Sequence, residues 1–315
     1  MTDAALPKQN VVRAVLAKLG SVVCFIAMVT MVKIVADRVP PGEIVFFRSF
    51  CGLPIILAWL IWRRELSTGL KTNNLQGHVW RGLVGTMGMS LGFSALGFLP
   101  LSEVKAIQYA QPVLVVIFAA MFLGERVRAF RLTAVALGMI GVLIIMSPRF
   151  TALDEGGVDP VLALGAVLAF GSAVAAGLAH VFVRKLTATE PTAAIVFYFA
   201  ITASTLSLIT LPFGWVMPTA FELTLLISMG LVGGVGQILL TASYRYADAS
   251  VVAPFEYSSI LLALAIGYFV FAEVPTLMML CGIALIVLAG ILIIWRERQL
   301  GKDRAKARKV MTPQG

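Results

Sequence analysis

Charge is scarce in this 315-residue chain. Only 13% of residues are Asp, Glu, Lys or Arg, 59% are hydrophobic and the mean hydropathy is +0.94. A soluble domain carries about 25% charged residues, so the composition excludes an ordinary water-soluble fold and points to a polytopic membrane protein. Cysteine is nearly absent as well. Cys24, Cys51 and Cys281 each sit inside an apolar run with no C-x-x-C spacing, which excludes a disulfide framework and a zinc knuckle and leaves them as packing residues. Two histidines, no H-E-x-x-H motif and no serine elbow give no catalytic constellation, so neither an enzyme nor a metal site is expected. No G-x-x-x-x-G-K-[ST] phosphate loop occurs, so ATP is not the direct energy source and no cofactor is expected. The net charge of +9 does not make a nucleic-acid binder, because the basic residues lie in short loops and in the tail RERQLGKDRAKARK. Membrane topology and contact with anionic lipid account for them.

What the chain does have is long apolar runs. A hydrocarbon core about 30 Å thick needs roughly 20 helical residues per crossing, and suitable runs occur at 14–36, 44–62, 82–99, 104–122, 132–147, 161–182, 193–212, 221–242, 252–271 and 276–295. The basic region before the first run is short and no A-x-A site follows it, so that span reads as a retained anchor. With the N-terminus inside, the inside segments hold nineteen Lys and Arg residues against Arg38 and Arg149 outside. Both termini are therefore expected in the cytoplasm. The acidic, breaker-rich segment PRFTALDEGGVDP at 148–160 divides the chain almost in half. Trp62, Trp80 and Trp295, near run ends, fit an interfacial belt.

The halves match each other. A shift of 148 residues lays Ser102 on Ser250, Gln108 on Glu256, Tyr109 on Tyr257 and Glu125 on Glu273; a shift of 151 pairs Pro40 with Pro191 and Phe46 with Phe197. Five spans per copy is an odd number, so the second copy enters the membrane inverted. The expected fold is an all-α membrane protein, with ten transmembrane helices as two inverted five-helix repeats, an arrangement typical of transporters. The expected units are a cytoplasmic tail 1–13, a first repeat 14–147, a periplasmic linker 148–160, a second repeat 161–295 and a basic cytoplasmic tail 296–315.

Two segments carry a family resemblance. ALGFLPLSEVKAIQYAQPVLVVIFAAMFLGERVR resembles the first EamA repeat of the drug/metabolite transporter superfamily and ASYRYADASVVAPFEYSSILLALAIGYFVFAEVPT the second, while FFRSF at 46–50 resembles that family's second span. The resemblance implies a helical bundle around a central cavity in a bacterial inner membrane. It also implies secondary transport of a small organic metabolite by alternating access. Overall similarity to the riboflavin-importer branch makes riboflavin uptake the leading expectation. Export of amino acids, amines or other metabolites is the alternative, and a non-transporting receptor or scaffold the alternative of a different class. The expected partners are a small-molecule substrate and the bilayer, with a homodimer left open.

Candidate substrate-binding or coupling residues are the polar ones within apolar runs. Glu256, beside Pro254 and Tyr257, suits a cationic group or proton coupling; its bland reading is a helix-start acid bonded to backbone N–H groups. Gln108, Tyr109 and Gln111, before Pro112, offer amides and an aromatic face, against ordinary interhelical bonding. Arg48 is read as pairing with Glu43 or Glu103 or snorkelling outward, and Lys18 as a site residue or as snorkelling to the cytoplasm. Gln237, within GLVGGVGQ, is placed facing the cavity, with its glycines, and Gly85, Gly88 and Gly92, allowing close helix contact. His180 is a weak relay candidate, His78 is assigned to a cytoplasmic loop, and Glu125 and Glu273 are read as structural anchors of the repeat.

Overall fold

The computed structural model describes residues 10–123, 133, 136–138, 140, 141, 143, 144, 160–247, 252–285, 287–289, 291, 292 and 295. Glu125, residues 148–159 and all of the basic tail from 296 lie outside these residues, as does half of the expected fifth span. Among the described residues every regular element is a helix: α1 Val11–Val35, α2 Pro41–Phe50, α3 Leu53–Trp62, α4 Leu66–Gly69, α5 Leu75–Phe98, α6 Leu101–Gln108, α7 Ala110–Leu123, α8 Pro160–Leu186, α9 Thr192–Leu208, α10 Ala220–Tyr246 and α11 Ser259–Phe271, with 3₁₀ turns at Leu211–Phe213 and Ala253–Ser258. Among the described residues five segments are long and apolar enough to cross a membrane: Val11–Val35, Pro41–Trp62, Glu103–Leu123, Pro160–Leu186 and Ala220–Tyr246. Helix is what an apolar chain in lipid must form, because only intrasegment bonding satisfies its backbone there.

Two of these segments are interrupted, each time for a covalent reason. Pro54 has no N–H to give the Phe50 carbonyl, and α2 ends at Phe50; Pro112 has none for Gln108, and α6 ends at Gln108. The helix starts are capped locally. Asn74 accepts from the Gly77 N–H at 2.9 Å, and Thr219 and Glu222 form a reciprocal capping box. The Asn74 cap starts α5 seven residues before its apolar run. His78 and Arg81 therefore lie in a helix and are buried, correcting the assignment of His78 to a cytoplasmic loop. Hydropathy marks where a helix meets lipid rather than where it starts. Cys281 is exposed, in contrast to the packing role expected of it. The spelling G-x-S-x-G at Gly88–Gly92 lies within α5 and makes no strand-to-helix elbow.

Packing joins the halves. α1 lies against α10, α5 against α8 and α2 against α9, while α6 and α7 meet α8 as the Ala253–Ser258 turn and α11 meet α1. Helix ends recur at the register of the sequence match. α1 ends at Val35 and α8 at Leu186; α2 follows Pro40 and α9 follows Pro191; α5 ends at Phe98 and α10 at Tyr246. Large apolar side chains such as Leu16, Trp62, Phe122, Val167, Phe221 and Phe269 remain exposed on the bundle, as a lipid-facing surface requires. Lipid removes the usual apolar reward for association, so close backbone approach matters. A Cβ on Gly230 would stand 2.5 Å from Cys51 Cβ and 2.7 Å from the Phe47 carbonyl, and one on Gly234 would stand 3.0 Å from the Gly52 carbonyl. These two glycines let α10 rest on the break between α2 and α3. Gly230→Leu is expected to destabilise the purified protein by roughly 1–3 kcal/mol through overpacking, measured by unfolding in detergent; unchanged stability would refute the contact.

Candidate functional site

Between the halves lies a cavity of about 170 Å³. Its walls come from nearly every long element: Phe25 and Met28 from α1, Arg48 from α2, Arg81 from α5, Lys105 and Gln108 from α6, Gln111 from α7, Ser172 and His180 from α8, Phe199 from α9, Gln237 from α10 and Glu256 from the 3₁₀ turn. Three polar groupings line it. In the first, Lys18 Nζ forms an ion pair with Glu256 Oε2, the lysine 1% and the glutamate 21% exposed. His180 stands in the same wall. Its Nδ1 accepts from Gln111 Nε2 at 2.9 Å and lies 3.2 Å from the Tyr244 hydroxyl, so that nitrogen carries no proton in this arrangement.

The second grouping is cationic. Arg48 and Arg81 are 5% and 3% exposed and share the Phe199 ring, their guanidinium carbons 5.3 and 3.9 Å from its centroid. Arg48 Nη2 donates to Gln237 Oε1 at 3.3 Å. A Cβ on Gly85 would collide with the Arg81 guanidinium, so glycine makes the room that lets the side chain lie along its own helix into the cavity. The third grouping is neutral: Gln108 Nε2 donates to Ser172 Oγ at 3.1 Å, which donates to the Gly88 carbonyl at 2.8 Å. The cavity thus combines both signs of charge, amides and aromatic faces, the kinds of group that line small-molecule sites.

The EamA-like transporter family profile matches residues 12–147 and again 163–295. The chain belongs to the EamA-like transporter family. This places it in the drug/metabolite transporter superfamily, as a membrane transporter. A pseudopaline exporter of Pseudomonas aeruginosa is 32% identical over 91% of this chain and 96% of its own length. An S-adenosylmethionine uptake transporter of Rickettsia bellii is 27% identical over 85% of this chain and 89% of its own. A solved structure described only as "Crystal structure of protein" superposes with a TM-score of 0.68 at 21% identity, over 91% of this chain and 98% of that one, and so shares the fold.

In this EamA-like transporter the cavity gathers Glu256, Gln108, Gln111, Gln237 and Arg48, and Lys18 reaches it through Glu256. Tyr109 is buried outside the cavity wall, its hydroxyl 2.8 Å from Ser259 Oγ. Pro112 ends α6, while Glu273 Oε1 accepts from the Leu101 N–H at 2.8 Å and so anchors the start of that helix from the other half. The side chains of Pro254 and Tyr257 lie outside the described residues. Two expectations are corrected. Arg48 neither snorkels nor pairs with Glu43, whose carboxylate accepts from the Val216 N–H at 3.0 Å. Lys18 does not snorkel, because an ion partner lies inward. Arg81, Lys105, Ser172 and Phe199 were missed. The register that pairs Phe46 with Phe197 also sets Phe199 opposite Arg48, and Arg81 continues the helical face of Gly85, Gly88 and Gly92. Lys18→Met should destabilise the protein by roughly 1–3 kcal/mol, because it leaves the partly buried Glu256 carboxylate without its ion partner. Adding Glu256→Gln should restore most of that loss; additive losses in a thermal-unfolding cycle would disprove the coupling.

Proposed function

We propose that the protein is a secondary transporter that carries a small polar metabolite across the bacterial inner membrane by alternating access between two inverted five-helix repeats. The carrying observation is the charged cavity enclosed jointly by both halves. Exchange of the halves maps the packing onto itself: α1 on α10 becomes α8 on α5, and α2 on α9 is its own image. The hydrogen bonds follow the same exchange. Lys33 Nζ, at the end of α1, donates to the Leu96 and Leu99 carbonyls at 2.7 and 3.1 Å at the end of α5. Arg184 Nη1, at the end of α8, donates to the Tyr244 carbonyl at 3.0 Å at the end of α10. Each cation sits on helix-terminal carbonyls, where it is favoured. With both termini cytoplasmic, Lys33 latches the outer end and Arg184 the inner. Two near-equivalent latches on opposite sides are what alternating access needs.

The substrate reading follows the site and the relatives. Glu256 with Lys18 forms a charge-responsive element that an amine or a proton would disturb. Amides on the facing wall suit donors and acceptors of a polar ligand. The pseudopaline exporter of Pseudomonas, at 32% identity, supports the export alternative and the S-adenosylmethionine uptake transporter of Rickettsia, at 27%, supports uptake; riboflavin draws no support from either.

A thermal-shift panel of riboflavin, amino acids, nucleosides, polyamines and S-adenosylmethionine identifies a ligand through its stabilisation of the fold, and flux is then measured in reconstituted vesicles. Lys18→Met/Glu256→Gln is expected to fold close to wild type and to lose flux by about ten-fold or more, roughly 1.4 kcal/mol or above. Wild-type flux would remove the pair from the mechanism. In a cysteine-free background carrying Ser172→Cys, Lys33→Ala should raise labelling by an impermeant thiol reagent several-fold from the periplasmic side and Arg184→Ala from the cytoplasmic side. Side-independent labelling would exclude the latches.

A further inference from the structure

The arginine end of the cavity holds more positive charge than the protein answers. Arg48 and Arg81 face the same ring, and the ion pairs among the described residues, Lys18–Glu256, Arg38–Glu222, Arg63–Glu65 and His78–Glu190, include neither of them. Arg48 Nε, Arg81 Nε and Nη1 and Gln237 Nε2 are buried donors with no acceptor. Arg81 and Arg48 both line the cavity, and Lys105 adds a third cation to the same walls against Glu256 as the one acid among the lining residues. A guanidinium stays protonated at any physiological pH. Burying two of them side by side is costly unless an anion joins them. Unpartnered guanidinium and amide donors beside an aromatic face suit a planar anion with two oxygens for forked guanidinium contacts.

We propose that Arg48, Arg81 and Gln237 bind a carboxylate of the transported molecule beside the Phe199 ring, making the substrate an organic anion. The assignment takes from the transport reading only that the ligand crosses the membrane. The carboxylate lies against the two guanidiniums and the Gln237 amide, and the remainder of the molecule extends past Gly88 and Gly92 toward Gln108 and Glu256. An amine at that far end would meet the Glu256 carboxylate, and a neutral ligand such as riboflavin would leave the arginines unanswered.

The full-length protein in detergent is titrated with sodium acetate and sodium citrate against sodium chloride at constant ionic strength, with sodium phosphate as a separate arm. Thermal unfolding is followed for wild type, Arg48→Gln and Arg81→Gln. The two carboxylates are expected to raise the wild-type unfolding temperature above chloride, and each variant to need about ten-fold or more carboxylate for the same shift. The ligand-free variants are expected to be at least as stable as wild type, since each removes one of two unanswered like charges. Carboxylates no better than chloride, variants that respond as wild type does, or variants less stable without ligand would overturn the assignment. A larger shift with phosphate would also overturn it, in favour of a phosphate site. Sidedness of Ser172→Cys labelling separates the anion site from transport. Carboxylate stabilisation without any change of sidedness keeps the anion site and removes transport; switching sidedness without carboxylate stabilisation does the reverse.

Discussion

A charge that faces lipid has neither water nor counter-ion, and the architecture of this protein follows from that cost. Lys18, Arg48, Arg81, Lys105 and Glu256 come from five separate helical elements, and all turn inward to one place. The outer surface can then be Leu16, Trp62, Phe122 and Phe269. Bringing long charged side chains together needs room, and glycine supplies it: Gly85 clears a path for the Arg81 guanidinium, and Gly230 and Gly234 let α10 approach the α2–α3 break. The breaks themselves come from Pro54 and Pro112, whose missing N–H groups end α2 and α6 next to the cavity. Free carbonyls at such depth persist where they are held within protein or line a polar space.

The two halves share a frame but not a chemistry. Gln108 and Glu256 occupy matched positions, yet Gln108 bonds neutral Ser172 while Glu256 holds buried Lys18. Arg48 and Phe199 are likewise matched, one a cation and the other the ring against which it lies. In the proposed inverted-repeat reading, a symmetric scaffold supplies two ways to open, and asymmetric side chains at equivalent positions give the site a direction. A ligand lying across the pseudo-two-fold meets cations at one end and an acid at the other.

Much of the site was legible because lipid makes polar residues conspicuous. Glu256, Gln108, Gln111, Gln237 and Arg48 stand out inside apolar runs, and all reach the cavity. Tyr109 stands out equally but is turned away, since one residue along a helix rotates a side chain by about 100°. Gln111, three residues after Gln108, shares its face, and that spacing alone separates it from Tyr109. Arg81 was hidden for the opposite reason: α5 begins at the Asn74 cap, well before its apolar stretch, and a hydropathy boundary hides the polar first turns of a buried helix. The Lys18–Glu256 pair spans 238 residues and depends on α1 meeting the 3₁₀ turn. No local pattern encodes such a meeting. Repeat register came closer, since it set Phe199 opposite Arg48.

The unanswered arginines also bear on how occupancy drives the cycle. Closing an empty cavity around two guanidiniums strips them of water with no counter-ion to replace it, which penalises the occluded shape. The anion proposed above would remove that penalty and so bind the occluded form more tightly, and a ligand shifts an equilibrium only through such a difference. The Lys18–Glu256 pair differs in carrying its own counter-ion, so that side of the cavity closes without help. On this proposal the two ends have unequal roles: the Lys18–Glu256 ion pair holds the empty bundle together, and the arginine end makes closure conditional on cargo. On the proposed alternating-access reading, Lys33 and Arg184 each grip helix-terminal carbonyls at one end of the bundle, and the charge inside the cavity adds its own weight to the choice between the two ends.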